Sequence, residues 1–153
     1  MIMSKEPPYK DTEVAYERTM SEIQKMLLEY GCEAVQVTTT KDGFVTVKFT
    51  IEVEIEGVRK GFGVSITPPI LLTRKTQGGR RIEVKDTNRS ARLLYWYIKS
   101  KLEAVSYGLV SAEQEFFSDI IVRLPGGREK KVGDLAKDIL TKGDLPLLGG
   151  GEG

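Results

Sequence analysis

The residues of this chain best suited to chemistry are arginines and lysines concentrated between Thr73 and Lys101. Nine basic residues and two acidic ones, Glu83 and Asp86, leave this stretch with a net charge of +7, whereas the whole chain carries +1. The basic residues are Arg74, Lys75, Arg80, Arg81, Lys85, Arg89, Arg92, Lys99 and Lys101. Clustered cations neutralise phosphates without needing a fixed geometry, and arginine also stacks on bases. The stretch therefore predicts an anionic polymer as ligand.

Three consecutive aromatic residues, Tyr95 to Tyr97, follow most of these cations. Aromatic rings interleaved with cations are typical of single-strand binding sites, in which the bases stack on the rings. We predict a non-enzymatic nucleic-acid-binding protein whose ligand is single-stranded DNA or RNA. The predicted contact residues are Arg74, Lys75, Arg80, Arg81, Lys85, Arg89, Tyr95 and Trp96.

A competing interpretation of the same residues stays open, because charged loops are usually only solvated and helix aromatics are more often buried than ligand-binding. Adjacent residues on a helix differ by about 100°, so Tyr95 and Trp96 cannot both share the apolar face that includes Leu94 and Ile98. The helix is then apolar over a wide arc, which predicts burial on two sides. The second side would lie against the protein core or in a homo-oligomer interface.

The residue types that are missing restrict the catalytic classes. The chain has no histidine, which excludes Ser-His-Asp and Cys-His machinery within one chain, and also zinc sites of histidine and cysteine. The run 78–81, Gly-Gly-Arg-Arg, could hold phosphates but does not match the phosphate-loop pattern. No glycine triplet of the dinucleotide type follows a strand and opens a helix. We predict no catalytic residues, no metal and no cofactor.

Glu52, Glu54 and Glu56 raise a further hypothesis, a carboxylate-metal enzyme. Their side chains would lie about 7 Å apart on the wet face of one strand, where carboxylates can bind a divalent cation. Such a row more often forms a solubilising face that pairs with basic residues across the sheet, as Lys48 or Arg59 could do. We favour the pairing interpretation.

The length and the composition of the chain predict one soluble domain. A chain of 153 residues with 40% apolar and 29% charged residues is typical of a globular protein. No apolar run approaches the roughly 20 residues of a membrane span, and the N-terminus lacks the apolar core of a signal peptide. We therefore expect a cytoplasmic location without membrane partners. The lone cysteine, Cys32, excludes an internal disulfide and is expected to be a small buried hydrophobe.

Hydrophobic periodicity predicts the elements that position these residues. Apolar residues spaced by three or four predict a helix over 12–30, capped by Asp11 or Thr12 and ended by Gly31. Period-2 patterns predict strands over 34–40, 44–56 and 59–66, which form an antiparallel meander. Gly61 and Gly63 in the third strand indicate a bend or bulge, or else a close approach of ligand backbone.

The second half contains the basic stretch. Residues 73–81 have no periodicity and are predicted to be a mobile loop, and residues 81–85 could add a short fourth strand. A helix capped by Asp86, Thr87 or Asn88 then runs to about Tyr107. A capping box at 111–114 starts a short helix that ends near Ser118. A hairpin over 120–124 and 129–132 and a helix over 135–141, capped by Gly133-Asp134, complete the order.

The predicted fold class is α+β. A three- to four-stranded antiparallel meander packs against an N-terminal helix and a central aromatic helix, with a short C-terminal hairpin and helices. The predicted divisions are a flexible arm over 1–10, a single domain over 11–142 and a disordered glycine-rich tail over 143–153.

The run 92–110, followed by Glu-Gln-Glu-Phe-Phe at 113–117, resembles a family of small phage and prophage proteins that have no established activity. The similarity extends to residues 15–23 and 124–128, so it covers most of the chain. The resemblance implies a mobile-element origin, with the host cytosol as location, and transfers no catalytic residue. It also supplies the alternative function, a structural or adaptor phage protein that acts through an oligomer interface on the aromatic helix.

Overall fold

The computed structural model describes residues 15–143, which contain four α-helices, one 3-10 helix and seven antiparallel strands. In chain order these are α1 (Tyr16–Tyr30), β1 (Val35–Thr39), β2 (Val45–Ile55), β3 (Val58–Ile66), β4 (Leu72–Gln77), β5 (Arg80–Lys85), α2 (Thr87–Ser106), α3 (Ala112–Glu115), the 3-10 helix (Phe117–Asp119), β6 (Ile121–Arg123), β7 (Glu129–Lys131) and α4 (Val132–Lys142). The predicted α+β class is confirmed.

Several predictions fall on residues outside this range. These are the arm over 1–10, the start of the first helix with its proposed caps, and the tail beyond Gly143. Within residues 15–143, no helix combines the length and the apolar character needed to cross a membrane.

The meander consists of β1, β2 and β3, with β2 in the centre. Val47 lies opposite Val37 of β1 and Ile66 of β3. The β2–β3 register runs without interruption, so the bulge predicted at Gly61 and Gly63 is absent. Gly63 lies next to the β6–β7 hairpin, since an added Cβ would make an ordinary van der Waals contact of 3.8 Å with Cδ1 of Ile121.

The core lies between this sheet and the helices. Alternate residues of β2, from Val45 to Ile51, are buried against one face of α1 and one face of α2. Phe116 is fully buried and makes an edge-to-face contact with Phe49, with ring centroids 5.4 Å apart. Ile55, the last residue of β2, was predicted on the buried face, but it is 38% exposed.

Local signals set the helix ends. Gly31 ends α1 in the left-handed region with φ 118°, and its N–H donates to the carbonyls of Leu27 and Leu28. The Asp86 side chain caps α2 by accepting from the backbone N–H of Arg89 at 3.0 Å. The two helices then pack side by side.

The C-terminal elements complete the domain. A capping box between Ser111 and Gln114 starts α3, as predicted. Ile120 bridges to Val64 and so attaches the β6–β7 hairpin to the edge of the meander. The predicted Gly133-Asp134 cap is wrong, because α4 begins directly after β7 with Lys131 at its N-cap.

The basic stretch does not contain the predicted loop. Residues 72–85 form a β-hairpin, and β4 pairs only with β5 in a sheet of its own. The prediction of a mobile loop over 73–81 is therefore wrong. The predicted strand over 81–85 is present as β5, but it pairs with β4 and does not extend the meander. Gly78 and Gly79 both have positive φ, 60° and 79°, which is the two-residue turn that joins twisted antiparallel strands.

Candidate nucleic-acid interface

The basic hairpin, residues 72–85, carries five of the predicted contact residues, and all five are exposed. Cross-strand partners share a face of a hairpin. The pairs Arg74–Glu83 and Thr76–Arg81 lie on one face together with Lys85. The pairs Lys75–Ile82 and Gln77–Arg80 lie on the other face. The cations are therefore distributed over both faces and the tip.

Two of these cations have internal partners. The Arg74 guanidinium lies 3.7 Å from the Glu83 carboxylate, and the Lys85 ammonium donates to the carbonyl oxygen of Asp42 at 2.6 Å. Lys75, Arg80 and Arg81 have no acidic partner among residues 15–143. These three side chains are available to a bound anion.

The hairpin is attached to the first turn of α2. The Thr73 hydroxyl donates to the Asp86 carboxylate at 2.6 Å, and the N–H of Asp86 donates to the carbonyl of Leu71 at 2.7 Å. The N–H of Leu71 donates to the Ser90 hydroxyl at 3.0 Å. These bonds fix the base of the hairpin, whereas no other helix or strand of the described chain packs extensively against its length.

Arg89 takes part in this attachment and is less available than the sequence predicted. Its Nη1 donates to the carbonyl of Leu72 at 3.3 Å, and its Nε is buried without a hydrogen-bond partner in residues 15–143. Its main contact is thus with the hairpin base.

One side of α2 combines two cations with an aromatic ring. Arg92, Trp96 and Lys99 follow one another at spacings of four and three, which places them on one side of the helix. The Lys99 ammonium lies 4.9 Å from the Trp96 ring centroid, and the Arg92 guanidinium lies 4.3 Å from that of Tyr95. We call Arg92, Trp96 and Lys99 the α2 stripe.

The two predicted aromatic contacts differ in exposure. Trp96 is 45% exposed and Tyr97 is 43% exposed, so the prediction that the helix is buried on two sides is wrong in the monomer. Tyr95 is half-buried and packs against the core. Trp96 is therefore the predicted aromatic residue that a ligand can reach.

Arg92 and Lys99 were not among the predicted contact residues. Their spacing from Trp96 is the sequence signal that identifies them, because residues three or four apart share a helix face. The two residues differ in availability. The Arg92 side chain is 16% exposed and lies 3.4 Å from the Glu22 carboxylate of α1, so this ion pair occupies it. The Lys99 side chain is 38% exposed and lies 4.0 Å from the Glu103 carboxylate, so it is more accessible.

Lys101, the last cation of the basic stretch, forms hydrogen bonds within the protein. The Lys101 ammonium donates to the Glu115 carboxylate at 3.2 Å and to the Glu115 carbonyl at 3.0 Å. Burial opposes its charge, but the hydrogen bonds to Glu115 and Tyr97 outweigh this effect and raise the pKa of Lys101. The charge of +7 is thus divided between ligand-accessible and structural residues.

The hypothesis of a metal centre finds no support in the geometry. Glu52 forms an ion pair with Arg59 at 2.6 Å, which is the cross-sheet pairing that the alternative interpretation predicts. Among residues 15–143, no three acidic or cysteine side chains come close enough together to hold a metal ion.

Comparison with known proteins gives no match to a protein-family model, to a curated protein or to a solved structure. The resemblance to phage proteins therefore stays a prediction, and the function rests on the geometry of the chain itself.

Proposed function

We propose that this protein binds single-stranded DNA or RNA without catalysing a reaction, using the basic hairpin and the α2 stripe. One observation carries the proposal. Lys75, Arg80 and Arg81 are exposed, without acidic partners in the described chain, on a projecting hairpin whose base is fixed to α2. Cations held in this way bind a phosphate backbone at little cost in broken ion pairs.

The α2 stripe supports the single-stranded ligand. The exposed ring of Trp96 offers a stacking surface, and stacking on aromatic rings needs unpaired bases. Lys99 adds a cation beside that ring. A strand that contacts the hairpin through its phosphates could continue along α2 with a base on Trp96.

The proposal predicts a large effect of removing the two arginines of the hairpin. The double variant Arg80→Ala and Arg81→Ala should bind a labelled single strand more weakly at low salt. The slope of log affinity against log salt should fall by about 0.7 for each phosphate that the variant no longer neutralises. Fluorescence anisotropy with single- and double-stranded oligonucleotides at several salt concentrations measures both quantities.

The β6–β7 hairpin provides a charge-matched control. Arg123 and Arg128 are exposed arginines on a second small hairpin, so their double alanine variant removes the same charge elsewhere. It should retain most of the affinity and the salt slope. Equal reductions in the two double variants would assign the binding to net charge and not to the basic hairpin.

A second function is favoured by a separate surface. Tyr107 and Leu109, at the end of α2, are 87% and 84% exposed, and exposed apolar residues of this size favour association. We propose as an alternative that the chain is a structural or adaptor protein that assembles with copies of itself along α2. Mass measurement by light scattering over a concentration series tests this, and a strict monomer at every concentration would contradict it.

A further inference from the structure

A cavity of about 220 Å³ lies beside α2, close to the base of the basic hairpin. Its walls are mainly apolar and come from the end of β3, from the segment before β4 and from α2. The residues that line it include Pro68, Pro69, Leu93, Tyr97, Asp119 and Lys131. Sites that enclose a drug-sized ligand measure about 300–1000 Å³, so this cavity fits one small ring system.

Polar groups converge at one side of this cavity. The Lys131 ammonium lies 2.7 Å from Oδ1 of Asp119, and the Tyr97 hydroxyl lies 3.5 Å from Oδ2. The Asp119 side chain is only 14% exposed. A carboxylate oxygen can accept two hydrogen bonds and an ammonium can donate three, so both groups retain capacity for a ligand.

The cavity adjoins the proposed nucleic-acid interface. Leu93 lies one helical turn after Arg89, and Tyr97 directly follows Trp96 of the α2 stripe. Pro68 and Pro69 precede Leu71, which is bonded to the first turn of α2. The cavity therefore shares α2 with the proposed interface and lies beside the segment that leads into the basic hairpin.

We propose that this cavity receives one unpaired base of the bound strand and that it selects guanine. This inference depends on the proposed function and adds a base-recognition site to it. The apolar walls suit the faces of a base, and unpaired bases are read by hydrogen bonds to their Watson–Crick edges.

The polar groups match the edge of guanine. Guanine presents an acceptor, O6, next to two donors, N1–H and the N2 amino group, whereas adenine, cytosine and thymine lack two adjacent donors there. Asp119 accepts from the two donors and Lys131 donates to O6. The ammonium and the carboxylate are neighbours in the structure, as the acceptor and the donors are neighbours on guanine.

The test uses short strands of thymidine, and of uridine, that carry one central guanine, adenine, cytosine or hypoxanthine base. Fluorescence anisotropy should show guanine bound about tenfold more tightly than adenine or cytosine, since a bidentate base contact discriminates by about this much. Hypoxanthine lacks the amino group and should fall between them. This change is made in the ligand, so it needs no variant of the protein.

Two variants distinguish the effect of the cavity on binding from the effect of the basic hairpin. Asp119→Asn should abolish the preference for guanine, with thermal unfolding used to verify that it is folded. The Arg80→Ala and Arg81→Ala double variant should weaken binding of every strand and keep the preference. If the protein binds single strands but has equal affinity for all four bases, the guanine site is contradicted and the proposed function stands. Absence of binding to any strand would overturn the proposed function with it.

Discussion

Cys32 is buried at the start of the meander, and burial raises the pKa of its thiol from 9.0 to about 11. The folded state holds this proton more tightly than the unfolded state. Its contribution to stability is therefore complete below pH 9 and disappears as the pH rises from 9 to 11. The shift corresponds to about 2–3 kcal/mol at most.

Cys32→Ala should accordingly lose less unfolding free energy than the wild type when the pH is raised from 9 to 11. Burial and the neighbouring Cys32 also raise the pKa of Tyr30, so the part of that shift that comes from Cys32 disappears with the thiol and adds to the difference in the same direction. Urea unfolding at a series of pH values measures the difference. Parallel stability curves for the two proteins would show that thiol ionisation is not linked to folding.

Three basic residues also show why the number of cations in the sequence overestimates the charge that a ligand can reach. Arg89, Arg92 and Lys101 contribute to the charge of the basic stretch, yet the hairpin base, Glu22 and Glu115 respectively occupy them. An ammonium or guanidinium that is already paired must give up that partner before it can bind a phosphate. The accessible charge is therefore smaller than the sequence suggests and is concentrated in the hairpin.

At the scale of elements, Asp86 connects the basic hairpin to α2. One oxygen of its carboxylate accepts from the N–H of Arg89 and the other accepts from the Thr73 hydroxyl. The helix cap and the hairpin base thus share one side chain. Any substitution that removes these oxygens should affect both elements.

Asp86→Ala should lower the unfolding free energy by about 1–2 kcal/mol, because it removes the cap and the bond to Thr73 together. Asp86→Asn keeps a capping oxygen and should lose much less. Chemical denaturation of both variants measures the effect. Similar reductions in the two variants would indicate that charge, and not the capping oxygen, stabilises this junction.

At the scale of the whole molecule, Phe116 joins the C-terminal elements to the core. It is fully buried and contacts Phe49 of β2, whereas its neighbour Phe117 is 56% exposed. Phe116→Ala should reduce the unfolding free energy by about 3–5 kcal/mol, since it removes apolar packing and leaves a cavity. Thermal or urea unfolding measures this reduction.

Phe117→Ala is the matched control, because it removes the same side chain at the next position, on the surface. It should change stability by less than about 1 kcal/mol. Reductions of equal size would mean that the C-terminal elements do not form one cooperative unit with the sheet.

The sequence by itself determined the α+β class, the meander and both long helices. Their signals are local: the alternation from Val45 to Ile51, the left-handed cap at Gly31 and the capping side chain of Asp86 each act within a few residues. The strand over 81–85 was predicted from its alternation, whereas β4 was missed because its residues are polar and mostly solvated, so no buried face marks its period.

Only the tertiary structure decided which functional groups are accessible and which of them meet. The exposure of Trp96 depends on which side of α2 the sheet and α1 cover, and a helix apolar over a wide arc does not specify that side. Tyr97, Asp119 and Lys131 are separated along the chain and converge because the β6–β7 hairpin attaches to the edge of β3. Packing between segments distant in sequence creates such sites, so the local periodicity of the sequence cannot predict them.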